Sequence, residues 1–253
     1  MQLDRVDGVD AIVNLAGASI GGGRWSEKRK RELIESRVNL TRNLIGNLAR
    51  LRKPPHTFVS ASAVGYYGSR GDEVLTEQSA PGDDFLATVS RDWEVEAMKG
   101  EQLGARVAIT RFGVALSKNG GALAQMLFPF RIGVGGRLGS GKQWLAWVAL
   151  DDLASAIMTV LDNPSLRGPM NVVSPNPVRN LEFTKTLGKV LHRPTIFPVP
   201  AFILKTILGE MGEALLLSSQ RAIPERLTRA GFKFESPDLE TALTRILVEN
   251  SAA

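Results

Sequence analysis

The chain has 253 residues, no cysteine and two histidines, which excludes a disulfide framework and a thiolate nucleophile or metal site. It also leaves little material for a histidine metal site or a Ser-His-Asp triad. No apolar run approaches the ~20 residues that span a bilayer, and the opening Met-Gln-Leu-Asp-Arg-Val-Asp is too charged for a signal peptide. The formal net charge of +5 gathers partly at Arg24–Arg31. Without a longer basic stripe and interleaved aromatics, this cluster reads as a solvated helix face. The expectation is a cytoplasmic protein that binds neither nucleic acid nor membrane.

In chain order, Asp10–Gly17 reads as a buried parallel strand ending in a turn, and Ile20–Gly23 is a loose glycine-rich connection. A long helix is predicted from Ser26 to Arg50, with Ser26 as N-cap and Glu27 in the first turn. Ile34, Val38, Thr41, Ile45 and Leu48 form its stripe, widened by Leu33, Leu40, Leu44 and Leu51. After Pro54-Pro55, Phe58–Gly68 opens as a second buried strand, so strand, helix and strand make a crossover unit. A polar loop fills Ser69–Asp83. Further expectations are a helix over Asp84–Leu103, a strand over Arg106–Phe112 and a short helix over Ala122–Phe130. The loop Gly133–Gly141 leads to a strand at Trp144–Leu150, and Asp151 caps a helix that stops at Asn163-Pro164. Met170–Val173 is a last short strand. Beyond Pro175 come helices at Leu181–Leu191, Ala201–Leu217 and Pro237–Val248, with a proline-rich link at Pro194–Pro200. The fold class is α/β, a parallel-sheet core over residues 1–175 with a small, mostly helical lobe over 176–253.

Open α/β sheets bind ligands at the carboxyl ends of their strands. There Phe58–Gly68 presents Ser60, Ser62, Tyr66 and Tyr67 among glycines. Those residues read equally well as tight packing under a helix with a tyrosine-capped loop. Gly136–Lys142 has the spacing of a phosphate-binding loop, but Gln143 stands where a magnesium-binding hydroxyl belongs, and a strand follows instead of a helix. Gly21–Gly23 precedes a helix without the glycine spacing of a dinucleotide turn.

Asn14-Leu-Ala-Gly17, Val38-Asn-Leu-Thr41, Ser60-Ala-Ser62 with Tyr-Tyr-Gly68, and Arg111-Phe-Gly113 resemble the ordered landmarks of extended short-chain dehydrogenases/reductases. Gly-Tyr-Tyr-Gly, Asp92-Trp93-Glu94 and Ser219–Arg226 are similar, more narrowly, to the atypical subgroup called epimerase family proteins, including their DUF1731-type C-terminus. The resemblance covers essentially the whole chain. It implies a Rossmann-like core and NADP as cofactor, with NAD as the alternative. Asn14, Ala16 and Gly17 would line the cofactor, Asn39 would support the site from its helix, and Ser60, Arg111, Gly113 and Val114 would flank the nicotinamide. Ser62 would stabilise charge on the reacting oxygen, and Tyr66 (or Tyr67, with Arg91 nearby) would stand in for a missing proton carrier. No metal is implied. Arg131, Gln143, Trp144 and Trp147 are candidates to line the substrate cleft, with the two tryptophans as core residues in the competing reading.

Two departures qualify that picture. The Tyr-x-x-x-Lys pair, in which lysine lowers the tyrosine's pKa, is missing from the helix beginning at Phe85. The first strands of a dinucleotide fold, with their glycine turn, are also missing, so the chain reads as N-terminally truncated with impaired cofactor binding. Asp10–Ala16 then becomes an exposed edge that a second copy or another partner would cover. Two functions follow: an NADP-dependent oxidoreductase or nucleotide-sugar-epimerase-like protein acting on an unknown small molecule, or a non-catalytic scaffold, as the cell-division label of some relatives would have it.

Overall fold

The computed structural model describes residues 6–248. Its centre is a four-stranded parallel sheet of β1 (Ala11–Asn14), β2 (Thr57–Ala63), β4 (Arg106–Phe112) and β8 (Gly168–Val172), in the order β1-β2-β4-β8. The intervening β3 is Val74–Leu75, β5 is Val114–Leu116, β6 is Trp144–Leu145, β7 is Trp147–Ala149, and later come β9 (Val178–Arg179) and β10 (Arg221–Ala222). Alternation along the central strands assigns each side chain to a layer. Phe58, Val107 and Ile109 pack with Ile45, Leu48 and Ala97 on one face, while Val59, Ala108 and Met170 pack with Ala156, Ile157 and Val160 on the other. Burying a side chain such as Phe58 in this way is worth roughly 1.5–3 kcal/mol.

The first face is covered by α2 (Leu40–Leu48) and α3 (Phe85–Met98), with α1 (Glu27–Ile34) preceding α2 in the chain, and the second by α5 (Leu150–Asp162). Ser26 caps α1 as expected, accepting from the Arg29 amide, and Asp84 caps α3 through the Ala87 amide. The predicted single helix is interrupted: Glu35–Asn39 is a π-helical turn joining α1 to α2, which ends at Leu48 rather than Arg50. That wider turn explains a change of stripe. Leu33 and Val38, five residues apart, are both buried, whereas Ile34 is half-exposed. Insertions of this kind re-aim side chains and recur at functional sites.

Other boundaries moved for identifiable reasons. The expected strand Trp144–Leu150 splits in two, because β6 pairs antiparallel with β9 while β7 pairs parallel with β5. Ala149, not Asp151, caps α5, and Asp151 sits in its first turn. The neighbouring Asp152 instead accepts from the Glu235 and Ser236 amides at 2.7 and 3.1 Å, tying the chain's late segments to the core. Downstream, α4 (Gly121–Arg131) runs slightly longer than expected and α6 is Asn180–Leu191. The predicted helix Ala201–Leu217 breaks after α7 (Ala201–Leu208), where Gly209 takes φ 62°, a conformation disfavoured for side-chain-bearing residues. A short α8 (Glu210–Gly212) and another π turn follow, then α9 (Glu225–Arg229) and α10 (Leu239–Leu247), the last capped by Asp238 rather than starting at Pro237. α4, α6 and α10 share one apolar cluster with β5 and β7 around the fully buried Trp147.

Candidate functional site

Register places Ser62 opposite Arg111 and Arg111 opposite Asn171, so three polar residues form a row near the carboxyl ends of adjacent strands. All three are buried. A guanidinium in that position needs a counter-charge, and α3 supplies it: Arg111 donates from Nε to Glu94 Oε1 and from Nη2 to Glu94 Oε2, both at 2.8 Å. Ser62 Oγ donates to the same carboxylate at 2.6 Å. On its other side Arg111 Nη1 donates to Tyr67 Oη at 3.0 Å, and Tyr67 Oη donates to Asn171 Oδ1 at 2.6 Å. Glu77 Oε1 closes the network by accepting from the Asn171 and Arg226 amides. The Tyr66 ring lies 3.5 Å from the Arg111 guanidinium carbon, a close cation–π contact.

The electrostatics of this cluster are those of a lock. Burial, more than the nearby Glu77 charge, pushes the Tyr67 phenol up to about 12, against the pull of Arg111. A phenol held protonated in that way is the opposite of an activated catalytic tyrosine. Burial works against the Arg111 charge, but the hydrogen bonds that Arg111 donates to Glu94, with the attraction of that carboxylate, outweigh it and hold the guanidinium firmly protonated.

Beside this network lies a cavity of about 240 Å³. Its floor is the backbone leaving β2 (Ala63–Gly65) and β4 (Phe112–Val114). One wall is the face of α3 carrying Phe85, Leu86, Val89, Ser90 and Trp93, and the opposite rim is Ala214, Leu215 and Gln220. Gly113 belongs where it is: a Cβ there would meet the Ala146 carbonyl oxygen at 2.7 Å. Arg37 enters from the π turn, its guanidinium against Gly17 and 5.5 Å from the Trp93 ring, with Nη2 donating to Ala18 O at 2.8 Å. Burial and the like charge of Arg29 lower its pKa, and it has no carboxylate partner among the described residues. It is the cavity's one ionisable side chain.

The structure therefore divides the residues singled out in the sequence. Gly113 and Val114 line the cavity, while Ser60, Ser62, Tyr66 and Arg111 do not. Ser60 is fully buried, its hydroxyl donating to Ala61 O, and Ser62, Tyr66 and Arg111 belong to the network behind the floor. Asn14 donates to Thr41 Oγ1 at 2.9 Å and accepts from the Ala16 amide, and Thr41 also accepts from Trp93 Nε1 at 2.9 Å, so the β1 turn is fastened to the cavity wall. Ala16 and Gly17 follow in that turn, Gly17 beside Arg37. Asn39 is turned elsewhere, accepting from Arg42, which also holds Glu96. Arg91 pairs with Asp92 at the surface. Of the cleft candidates, Trp147 is core, Trp144 lies between Arg179 and Arg221, Arg131 is exposed, and Gln143 lines a separate cavity of about 350 Å³ beside α7.

Sequence reasoning missed Arg37, Glu77 and the role of Glu94. Glu94 had a signal, an acid in an otherwise buried helix stripe beside Trp93. Arg37 had none, because its direction depends on the π turn.

Comparison with known proteins now decides the family. A profile of the NAD dependent epimerase/dehydratase family matches residues 2–173, and the domain of unknown function DUF1731 matches residues 199–246. The chain belongs to the NAD dependent epimerase/dehydratase family. Epimerase family protein YfhF of Bacillus subtilis is 42% identical over 242 residues, 95% of this chain and 79% of that protein. The chloroplastic SDR39U1 homolog of Arabidopsis thaliana is 44% identical over 244 residues, 96% of this chain and 70% of its own length. The crystal structure of human epimerase family protein SDR39U1 (isoform 2) with NADPH superposes with a TM-score of 0.89 at 32% identity, covering 96% of this chain and 85% of that one. The fold is accordingly that of a Rossmann-like epimerase family member, and no helix among the described residues is long and apolar enough to cross a membrane.

Proposed function

We propose that this protein is an oxidoreductase or epimerase-like member of its family that uses NADP(H), with NAD as the alternative, and holds a small-molecule substrate in the 240 Å³ cavity. The observation that carries this reading is the cavity's position, at the carboxyl ends of β2 and β4, where open α/β sheets place ligands. The human relative with NADPH supports the choice of cofactor. The residues fit one end of such a dinucleotide: Arg37, packed against Gly17, offers a cation with no carboxylate partner among the described residues, and Gly113 and Val114 offer a flat wall. They fit the other end poorly. A pyrophosphate sits where strand order reverses, beside a glycine turn, but the described sheet runs β1-β2-β4-β8 without reversal. Weak cofactor binding by this chain is therefore part of the proposal.

When bound, the cofactor supplies the hydride. Arg37 orients it and balances its negative charge, and the wall from Phe85 to Trp93 excludes water. Ser62 and Tyr66 act in this reading as positioning residues, holding Glu94 and Arg111 so that the floor of the cavity keeps its shape.

One observation favours a non-catalytic scaffold instead: the cavity lining contains no Tyr, Lys, His, Asp or Glu to move a proton. Calorimetric titration of NADPH and NADH into the chain and into Arg37→Gln separates the readings. Weak NADPH binding that disappears in the variant is expected. Tight binding would refute the proposed weakness, and no binding of either nucleotide would put the scaffold ahead.

A further inference from the structure

Charge is distributed unevenly along this chain. Residues 118–150 and 183–209 together contain eight Lys and Arg and no Asp or Glu, while the rest of the chain has twenty-three basic against twenty-six acidic residues. The fold brings parts of these two acid-free stretches together. Arg193 Nε donates to Arg131 O at 2.8 Å, Pro194 lies against Gly133, Val199 N donates to Arg137 O at 2.9 Å, and Gly139 N donates to Val199 O at 2.8 Å. Zippered in this way, the segments form one surface, and the apolar side chains between and beside the links face outward: Phe128 is 70% exposed, Ile132 57%, Val134 48%, Ile196 71% and Phe197 52%. Phe202, 68% exposed, continues the surface onto α7.

Exposed apolar patches of this extent are rare on monomers and mark a contact surface. The charges decide which contact. Lys189 and Lys205 are paired with Glu240 and Glu213. Arg131, Arg137 and Arg193 have no carboxylate partner among the described residues; the Arg137 and Arg193 guanidiniums bond only to backbone carbonyls. A twofold contact through this face would set those arginines against their own copies, which like-charge repulsion penalises. A nucleic acid would stack on rings such as Phe128, Phe197 and Phe202, but it has no use for the aliphatic Ile132, Val134 and Ile196 exposed among them. Aliphatic and phenyl groups projecting between unpaired arginines match a bilayer interface, where apolar chains enter the acyl boundary and basic groups meet anionic headgroups.

We propose that this face docks the protein on an anionic lipid surface. The sequence shows no membrane-spanning segment, and this mode requires none.

The test is co-sedimentation of the whole chain with phosphatidylcholine vesicles with and without phosphatidylglycerol. Binding is expected only with the anionic lipid, with a loss on raising salt to about 1 M, where the Debye length is ~3 Å. Ile196→Ser and Phe128→Ser lie on the two different stretches, so a shared folding defect would not explain a common effect; each is expected to cut vesicle partitioning by about tenfold. The proposal is overturned by absence of binding to the anionic vesicles or by binding that both variants retain. It is equally overturned if the patch proves to bind single-stranded RNA, or if it forms a dimer that the variants dissociate.

Discussion

Two regions meet at the carboxyl ends of β2 and β4, and they solve opposite problems. Behind the floor, Ser62, Glu94, Arg111, Tyr67 and Asn171 are joined side chain to side chain by hydrogen bonds of 2.6 to 3.0 Å. In front of it, the cavity is apolar and backbone-lined, with Arg37 left without a counter-charge among the described residues. A sealed network spends its polar groups on shape, whereas a cavity with one unpaired cation keeps its electrostatics for a ligand. The polar residues that catch the eye in the sequence mostly went to the first region.

That division is breakable. Glu94→Ala should have the largest effect, about 3–5 kcal/mol of destabilisation in urea unfolding, because it strands a buried guanidinium. A loss under about 1 kcal/mol would mean the cluster is wetter than its burial implies. Next comes Gly113→Ala, whose Cβ would press on Ala146 and Val173. About 1–3 kcal/mol is expected from overpacking, together with reduced NADPH binding, since Val114 would shift in the cavity. Ser62→Ala removes one hydrogen bond to a charged group, worth roughly 1.5–3 kcal/mol at most. It should leave nucleotide binding intact if Ser62 only positions the floor, and a selective loss of binding would move Ser62 into the cavity.

The alkaline limb gives a finer test. Tyr67 titrates near 10.0 when unfolded and is pushed up to about 12 in the fold. Its neutral form is therefore favoured by folding, and that contribution is complete below pH 10 and fades as pH rises toward 12. Tyr67→Phe should start less stable by about 1 kcal/mol from the lost hydrogen bonds. It should also show a shallower decline between those pH values, and parallel curves would contradict the cause assigned here. Arg37→Gln should change stability least, because no carboxylate is left unpaired, while changing nucleotide affinity most.

Much of the layer structure was legible before any coordinates. Phe58, Val59, Val107 and Ile109, with the small residues around them, suit strands buried on both faces, and Ser26 caps its helix through chemistry confined to four residues. The site was legible only in outline. Ser62 and Arg111 were visible as polar residues near strand ends, but whether they faced a ligand or each other depended on Glu94, contributed by a helix 32 residues after Ser62. Asn14 likewise looked like a ligand residue, and its amide is committed to Thr41.

The sequence by itself determined the α/β class, the parallel strands at the centre and the absence of any Tyr-x-x-x-Lys pair, because periodicity, capping and residue identity are local properties. Tertiary structure decided which polar groups were sealed, that Arg37 would reach the cavity, and that two acid-free stretches would share one face. Those outcomes rest on strand register, a π turn and contacts between distant segments, none of which a local pattern encodes.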